Sequence, residues 1–389
     1  MTSIGLFTYS TKPRGSVVHA AALADALSER GHDVTLYALS KAGDRMYREL
    51  ACPVVYFPAA EAPADPDALI AQRIREVAAG VLQIRTKHEL FHAEDCLVAS
   101  GLLAVRQRLG GAPIVRTLHH LEHFASAYLR ECQRRSILEA DEVFCVSRVS
   151  QRDVLRELGR NSAIIGNGVD VEHFAYDRAL ESWGRARFGC TPEQIVVLSV
   201  GGIEPRKNSL RALDAMLPLL AERSTLRWLI VGGASIWEHD RYRAEFRERV
   251  ATLPLDRKSR IIELGSVSER ELTALYGICQ VLLCPSLQEG FGLCVLEAMA
   301  AGAAVVVSER EPFTEYLSHH SACFVDPESA ASIGCALAAL LDDGKRRTDL
   351  AQAGRQKSRE FSWRRVAQAH ERHYRELTAR APAPSFAAW

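Results

Sequence analysis

The sequence contains 389 residues, and its 48 lysines and arginines balance its 48 aspartates and glutamates, so the formal charge is zero. Nucleic-acid-binding proteins normally carry a basic excess or stripe, and this balance argues against that class. Hydrophobic residues make up 48% of the chain and charged residues 25%, which is typical of globular proteins and excludes disorder for most of its length. The longest apolar run, residues 298–307, is far shorter than the roughly 18 residues that span a membrane.

Two further features bear on the cellular compartment. The first nine residues have no basic start and no long apolar region, so they do not resemble a signal peptide. The ten cysteines include no C-x-x-C pair, and a chain of this length needs no structural disulfide. We therefore expect a cytoplasmic protein without a transmembrane segment, for which peripheral membrane contact stays open.

Short apolar runs alternate with longer amphipathic stretches, which predicts β-α units and parallel sheets. In the first half the predicted strands are 4–9, 34–39, 54–57, 90–92, 114–118, 143–146 and 163–165, and the predicted helices are 17–30, 95–109 and 124–139. In the second half the predicted strands are 195–200, 228–231, 261–264, 281–284, 304–307 and 323–325. The helices predicted there are 210–221, 238–252, 269–276, 292–300, 330–341 and 346–359.

The two blocks of alternation predict two domains in series. The turn-rich segment 167–170 marks the break, and we expect an N-terminal domain over residues 1–172 and a C-terminal domain over residues 173–364. The Ala/Pro-rich segment 59–67 is predicted to be a loop, and the tail 381–389 is predicted to be frayed. Ligands of open α/β sheets bind at the carboxyl ends of the strands, so two such sheets facing across a cleft would hold one ligand each.

Residues 365–389 are predicted to form a last helix followed by the tail. Ser362 is a suitable N-cap, and apolar or aromatic side chains recur at helical spacing from Trp363 to Leu377. Because no strand follows, this helix does not cover a later β-unit, and we expect it to cross back onto the first domain. The alternative is a terminal helix that docks only on the second domain.

The strongest local signal lies between Pro285 and Ala300, where Glu289-Gly-Phe-Gly-Leu is followed by Glu297. A strand that ends at a Gly-x-Gly turn, with a helix beginning at once, presents free backbone N–H groups to an anion. Carboxylates do not bind phosphate, so the two glutamates would accept hydrogen bonds from hydroxyls. A ligand with both phosphate and sugar hydroxyls satisfies all these groups; the alternative is a glycine-rich helix cap with two surface glutamates.

This segment resembles the E-x7-E motif of retaining glycosyltransferases of family 4, which have the GT-B fold. Other segments match that family in the same order over about residues 4–365, closest to a little-characterised bacterial subgroup. They are Pro13-Arg-Gly-Ser-Val-Val-His19, Thr117-Leu-His-His120, Ala140-Asp-Glu-Val143, Asn167-Gly-Val-Asp170 and Gly201-Gly-Ile-Glu-Pro-Arg-Lys207. The resemblance implies an α/β protein with two Rossmann-like parallel-sheet domains facing across a cleft.

The resemblance also implies roles for individual residues. It gives catalytic roles to His119, Lys207 and Glu289, with the lysine at the pyrophosphate and Glu289 at the transferred sugar; Glu297 would hold the ribose. The donor-binding set that it implies is Gly15, Ser16, Arg206, Lys207, Ser266, Val267, Glu289, Gly290, Phe291, Gly292, Leu293 and Glu297. In this scheme the C-terminal domain binds the donor and the N-terminal domain supplies the acceptor side.

The chain departs from the family in the pyrophosphate loop. Family members usually carry an arginine where this chain has Gly202, and a glycine where it has Asn208. A pyrophosphate leaving group needs cationic stabilisation as the glycosidic bond breaks. Arg206 is the nearby candidate to replace the missing charge, and a solvated surface arginine is the alternative.

Neither of two metal-like patterns predicts a metal site. Asp65-Pro-Asp67 imitates a D-x-D motif but lies in the Ala/Pro-rich loop with no strand before it, so we expect it to be solvated. His119 and His123 are four residues apart, yet no third ligand is evident and His120 stands where H-E-x-x-H has glutamate. We expect no metal requirement and no cofactor besides the nucleotide-sugar co-substrate.

The resemblance thus implies a retaining, metal-independent hexosyl-type glycosyltransferase that uses a nucleotide-sugar, with UDP-sugars favoured over GDP-mannose. Its acceptor, a small molecule, glycan or lipid, is not identified, and no nucleic-acid partner is expected. Two alternatives remain open: a nucleotide-sugar epimerase on the same fold, and a non-catalytic nucleotide-sugar binding protein.

Overall fold

A computed structural model describes residues 1–233 and 239–380. The described chain forms two compact units, one from Met1 to Gly168 together with the chain from Trp363 onward, and the other from Val169 to Ser362. The predicted frayed tail 381–389, and Glu238 as the predicted start of a helix, lie outside the described residues.

The first unit is a seven-stranded parallel sheet in the order β3-β2-β1-β4-β5-β6-β7. Its strands are β1 Ser3–Thr8, β2 Asp33–Lys41, β3 Val54–Ala59, β4 Leu90–Ala93, β5 Ile114–Leu118, β6 Glu142–Cys145 and β7 Ala163–Ile164. Its helices are α1 Gly15–Glu29, α2 Pro66–Val81, α3 Cys96–Ala104, α4 Ala127–Leu138, α5 Arg148–Leu158 and, after the second unit, α15 Trp363–Arg380.

The second unit is a six-stranded parallel sheet in the order β10-β9-β8-β11-β12-β13. Its strands are β8 Ile195–Val200, β9 Leu226–Val231, β10 Ile261–Gly265, β11 Val281–Cys284, β12 Ala304–Ser308 and β13 Cys323–Val325. Its helices are α6 Arg178–Phe188, α7 Ser209–Glu222, α8 Asp240–Ala251, α9 Leu255–Lys258, α10 Glu269–Ile278, α11 Leu293–Ala301, α12 Phe313–Tyr316, α13 Ala330–Asp342 and α14 Gly344–Ser358.

The two parallel α/β units confirm the predicted fold class. Each predicted strand overlaps an observed one, because strands buried on both faces appear in the sequence as short apolar runs. The helices are less well predicted: no helix is predicted for the segments that form α2, α5, α6, α9 and α12. The helix predicted over 95–109 is shorter in the structure: α3 ends at Ala104, and a separate 3₁₀ turn, Arg106–Arg108, follows it.

The prediction for segment 59–67 is wrong in part. The strand β3 runs up to Ala59, and a helix begins within the segment, at Pro66. The Asp65 carboxylate caps this helix by accepting a hydrogen bond from the N–H of Ala68 at 2.7 Å. Asp67 accepts a hydrogen bond from the Ser126 hydroxyl at 2.6 Å. The Asp-Pro-Asp sequence is therefore a helix start, where Pro is favoured at the first position, and not a solvated loop.

The last helix, α15, packs against α1 in the first unit. Tyr374 is fully buried, and its hydroxyl lies 2.6 Å from Nδ1 of His92 in β4. Arg30, which directly follows α1, donates hydrogen bonds to both carboxylate oxygens of Glu371, and the bond from Nη2 is 2.8 Å long. Nε2 of His32 lies 3.1 Å from the same carboxylate. A buried aromatic contact and a buried charge thus hold the helix in place.

We searched the described residues for membrane spans, and none of their helices is both long and apolar enough to cross a bilayer.

We predict that Glu371→Gln lowers the free energy of unfolding by about 1–3 kcal/mol, the usual cost of losing a hydrogen bond to a charged partner. The Arg30 hydrogen bond lowers the pKa of Glu371 below its usual value. This contribution is therefore complete above the unfolded pKa, near 4.5, and is lost as the pH falls through the lower folded pKa. Urea denaturation across that range measures both effects.

The matched control is Glu376→Gln. Glu376 lies on the same helix, but it is exposed and its ion pair with Arg380 is long, at 3.7 Å. We expect this control to leave the urea midpoint unchanged. Equal stability losses in the two variants would contradict the structural importance of the Arg30–Glu371 pair.

Candidate active site

In the second sheet, the direction in which successive strands are added reverses between β8 and β11. From β8 the chain builds outward to β9 and β10 on one side, and it then returns to build β11, β12 and β13 on the other. In open parallel sheets the crevice at the carboxyl ends of two such strands is the usual ligand site. The loop after β8 contains Lys207 and the loop after β11 contains Glu289, so both face this crevice.

Lys207 and Glu289 form a buried ion pair across that crevice. The Nζ of Lys207 lies 2.5 Å from Oε1 of Glu289, and both side chains are almost inaccessible to solvent. The Ser286 hydroxyl donates a second hydrogen bond to the same oxygen, at 2.8 Å. On the other carboxylate oxygen, Oε2, Nη1 of Arg206 approaches to 3.6 Å. Two cations and one hydroxyl therefore converge on one carboxylate.

The charges of this cluster fix its protonation. Burial alone would raise the pKa of Glu289, but the positive charges of Lys207 and Arg206 lower it to about 2. Burial opposes the charge on Lys207, and the Glu289 carboxylate overcomes that effect and raises the lysine pKa. Both groups are consequently ionised at neutral pH.

The loop after β8, residues 201–208, contains three residues with positive φ: Gly201, Gly202 and Asn208. Lys207 lies directly over Gly201, because a Cβ there would be 2.3 Å from the lysine Cε. Gly202 has φ of 77° and faces the backbone oxygen of Gly233, which a Cβ would approach to 3.2 Å. An arginine at this position would be strained. Asn208 adopts φ of 61°, a left-handed conformation that asparagine tolerates.

Asn208 also fastens the loop. Its side-chain amide donates hydrogen bonds to the backbone oxygens of Pro285, at 3.1 Å, and Pro327, at 2.6 Å. Arg206 is held differently: its Nε donates to Glu204 at 2.9 Å, and its side chain is 36% exposed. Arg206 is therefore neither a purely solvated arginine nor a buried one.

The predicted glycine turn and helix start are present. Gly292 has φ of 94° and precedes α11, whose first residue is Leu293. The turn also contains Gly290, and the Phe291 ring stacks on Tyr316 with centroids 4.7 Å apart. Glu289 precedes Leu293 by four residues, so the ion pair lies close in sequence to the first turn of this helix. The arrangement suits an anion.

Glu297 lies in α11 and is separate from the Lys207 pair. Its Oε2 accepts a hydrogen bond of 2.7 Å from the hydroxyl of the buried Tyr276, in α10. Burial raises the pKa of Glu297 to about 7, although the Tyr276 hydrogen bond opposes this shift. Its charge therefore changes near neutral pH.

Ser266 and Val267, the predicted base contacts, follow the carboxyl end of β10. The structure brings Ser266 next to the end of β9, because a Cβ on Gly233 would lie 2.4 Å from the Ser266 hydroxyl oxygen. Gly232 in turn packs against Gly202, because a Cβ on Gly232 would lie 2.2 Å from the backbone nitrogen of Gly202. The ends of β8, β9 and β10 are thus packed together through glycines.

The other three predicted residues belong to the first unit. Gly15 and Ser16 form the first turn of α1, which follows β1. His119 follows β5, and its Nε2 lies 2.9 Å from Oε2 of Glu94, which follows β4. His19, on α1, lies with Nδ1 2.9 Å from the same oxygen. These residues gather where β1 and β4 are neighbours, which is the corresponding change of direction in the first sheet.

Burial controls the charges in this histidine cluster. Burial lowers the pKa of His119 to about 4, against the opposing effect of its hydrogen bond to the Glu94 carboxylate. It would raise the pKa of Glu94, but the neighbouring His19 and His119 hold that pKa well below its usual value. Glu94 is consequently an ionised carboxylate with no solvent exposure. His123, by contrast, is exposed in the loop before α4.

Sequence reasoning missed the partners of the predicted residues, chiefly His19, Glu94, Tyr276 and Ser286. Tyr276 and Glu94 are far along the chain from the residues that they contact, so no local spacing reveals the contact. Ser286 stands within the motif, three residues before Glu289, and its hydroxyl could have been included. Glu94 carried a usable signal, because it lies two residues beyond the predicted strand 90–92, at the carboxyl end where ligands of such sheets bind.

Comparisons with known proteins agree with this architecture. A family profile described as Glycosyltransferase Family 4 matches residues 13–173, and one described as Glycosyl transferases group 1 matches residues 185–357.

Two curated relatives are similar over most of their length. An MMP alpha-(1->4)-mannosyltransferase of Mycolicibacterium hassiacum is 26% identical over 324 residues, which cover 77% of this chain and 73% of that protein. A GDP-mannose-dependent alpha-(1-6)-phosphatidylinositol dimannoside mannosyltransferase of Mycobacterium tuberculosis is 26% identical over 295 residues, 70% of this chain and 71% of that protein.

A solved structure, Anabaena Alr3699/HepE in complex with UDP-glucose, superposes with a TM-score of 0.75 at 20% identity, over 97% of this chain and all of that one. Both halves of the chain thus match glycosyltransferase profiles, and the whole chain has the matching fold. The protein belongs to the group 1/family 4 glycosyltransferases with the GT-B fold.

Proposed function

We propose that the protein is a retaining glycosyltransferase that moves a hexosyl group from a nucleotide-sugar to a small-molecule, glycan or lipid acceptor. In this proposal the second unit binds the donor and the first unit supplies the acceptor side. The observation that carries it is the buried Lys207–Glu289 pair at the point where the strand order of the second sheet reverses, in the segment that leads into α11.

Lys207 suits a leaving pyrophosphate. Its charge is retained at neutral pH, and its side chain packs directly on Gly201, which holds the ammonium group in the loop after β8. The free N–H groups at the start of α11 add partial positive charge at Gly292 and Leu293. As the glycosidic bond breaks, negative charge grows on the phosphate and strengthens its attraction to the lysine, so the interaction favours the transition state.

The carboxylates suit the sugars. Glu289, with Gly290 and Phe291 beside it, would accept hydrogen bonds from the transferred sugar, and Glu297 would hold the ribose. Ser266 and Val267 would contact the base. The leaving phosphate would act as base toward the acceptor on the same face, which gives retention without a protein nucleophile.

The first unit contributes His119 at the donor sugar, and Gly15 and Ser16 at the phosphates. The small side chains at the start of α1 allow close backbone approach. For the donor base we favour a UDP-sugar, in line with the UDP-glucose bound by HepE. GDP-mannose is the second candidate, because the mycobacterial relative is named as dependent on it.

The deciding experiment combines donor screening with product analysis. UDP-, GDP- and ADP-sugars are tested by thermal shift, because a ligand that binds the folded state raises its apparent stability. The donor that binds is then incubated with candidate acceptors, and NMR gives the anomeric configuration of the product. Epimerised donor formed without any acceptor would instead support the epimerase alternative, and binding without turnover would support the non-catalytic one.

We predict that Lys207→Ala lowers turnover at saturating donor by roughly 10²–10³, the usual cost of losing one transition-state donor. Arg206→Ala is the companion variant. A comparable loss of turnover would indicate that Arg206 replaces the arginine that family members usually carry at the position of Gly202. Steady-state kinetics gives both values. Normal turnover in Lys207→Ala would remove the lysine from the reaction.

Two controls accompany the Lys207 variant. Lys345→Ala removes an exposed lysine of the same unit and should change nothing. Because Lys207→Ala leaves the buried Glu289 short of a partner, it is also expected to cost roughly 3–5 kcal/mol of stability. Glu289→Gln in the same chain should recover stability without recovering turnover, which separates misfolding from lost chemistry.

We predict that donor affinity rises with pH through Glu297. Its pKa is about 7, and the ionised carboxylate accepts two hydroxyl hydrogen bonds where the neutral acid offers fewer. Affinity for an intact nucleotide-sugar, whose phosphates do not titrate here, should be about tenfold weaker at about pH 6 than at about pH 8. Calorimetry measures it. Glu297→Gln should show a flat profile, and a wild-type profile equally flat would contradict the role.

We predict that transfer needs no divalent metal, because Lys207 and Arg206 already supply positive charge at the position proposed for the phosphates. Activity measured after dialysis against EDTA should be no lower than that of untreated enzyme. Loss of transfer in EDTA, followed by recovery with magnesium or manganese, is the contrary result.

A further inference from the structure

A second cluster of ionisable side chains lies in the first unit. His19 is on α1, Glu94 follows β4 and His119 follows β5. One ligand-type atom from each lies within 4.8 Å of the other two. His19 and Glu94 have no solvent exposure, whereas the His119 side chain is 18% exposed and opens the cluster on one side.

The contacts within this cluster leave polar atoms unsatisfied. Neither ring nitrogen of His19 makes a hydrogen bond, and Oε1 of Glu94 makes none either, although all three atoms are buried. Nδ1 of His19 is only 2.9 Å from Glu94 Oε2, so the two are close without being aligned as donor and acceptor. Buried polar atoms in native proteins normally have a partner, so these three atoms are unaccounted for.

The neighbouring histidine His92 differs from these three residues. Its two ring nitrogens are engaged by the Tyr374 hydroxyl at 2.6 Å and the Thr117 hydroxyl at 2.7 Å. It is therefore occupied in the packing of α15 and is not available as a ligand. Within the cluster, the unsatisfied atoms belong to His19 and Glu94, next to the partly open His119.

We propose that His19, Glu94 and His119 form a binding site for a zinc ion. Two histidines and one glutamate with an open fourth position are a recurrent zinc ligand set. Ligand atoms around tetrahedral zinc lie about 3.3 Å apart, as follows from zinc–ligand distances of about 2.0–2.1 Å. The two 2.9 Å separations at Glu94 Oε2 need only small widening to admit the ion. Water entering past His119 completes the coordination.

The ion would fasten α1 to the carboxyl ends of β4 and β5. This inference does not rest on the proposed transfer reaction, which is proposed to need no metal, and its test uses no donor. Because His119 is also proposed to contact the donor sugar, zinc here is expected to compete with that contact rather than assist it.

The experiment uses the full chain, stripped of metal and titrated with zinc chloride under reducing conditions. Equilibrium dialysis should give one tightly bound zinc, and urea denaturation should show the matching gain in stability. Cobalt substitution should give a tetrahedral visible spectrum without thiolate charge-transfer bands, since none of the three ligands is a cysteine. Thiolate bands would place the metal on the chain's ten cysteines and overturn the proposal.

Variants locate the site. Glu94→Gln and His119→Ala should each weaken zinc binding by more than about 100-fold, since even losing an outer-shell partner costs 10–100-fold. His119→Ala is the safer variant, because that side chain is partly exposed whereas the Glu94 side chain is fully buried. The matched control is His123→Ala in the same segment, whose exposed imidazole lies outside the cluster and whose loss should leave binding intact.

No zinc bound by the wild-type chain, or binding unchanged in both Glu94→Gln and His119→Ala, would overturn the proposal.

Discussion

The buried pair of Lys207 and Glu289 is the constraint on which the second unit's site depends. An ionised carboxylate without solvent is costly unless it is paired and hydrogen-bonded, and here a lysine, an arginine and the Ser286 hydroxyl share that task. The Lys207 side chain reaches Glu289 by packing directly on the backbone of Gly201. A side chain at position 201 would overlap the lysine, so this position requires glycine. The loop geometry is thus a consequence of where the charges must meet.

The fold was predictable because parallel strands buried on both faces leave a signal that needs no tertiary information. The helices gave weaker signals. In α2 the sequence offers an Asp-Pro start and apolar residues at Ile70, Ile74, Val77 and Val81, but the preceding Ala/Pro-rich run hides it. In α5 only Ser150 and Val154 are buried, so most of that helix is polar and its period is hard to see.

The site was predictable to the extent that its residues are close in sequence. The turn at Gly292, the glutamates and Lys207 all belong to motifs with fixed spacing. Their partners come from other elements: Tyr276 reaches Glu297 from α10, and Glu94 reaches His119 from the neighbouring strand. Such contacts are created by the tertiary arrangement, in which β4 lies beside β5 and α10 packs on α11, and no local pattern in the sequence encodes that arrangement.

The departures from the family pattern in the loop after β8 each fit the local backbone. The left-handed backbone at Gly202 faces the Gly233 oxygen, so a long cationic side chain has no unstrained place there. At Asn208 the chain needs a left-handed residue too, and asparagine provides it while tying the loop to Pro285 and Pro327. Arg206 is then the cation next to Lys207, shared between Glu204 and Glu289. In the proposed reaction a growing phosphate charge would compete with those carboxylates for both cations, and the partly exposed Arg206 is the one that can reorient.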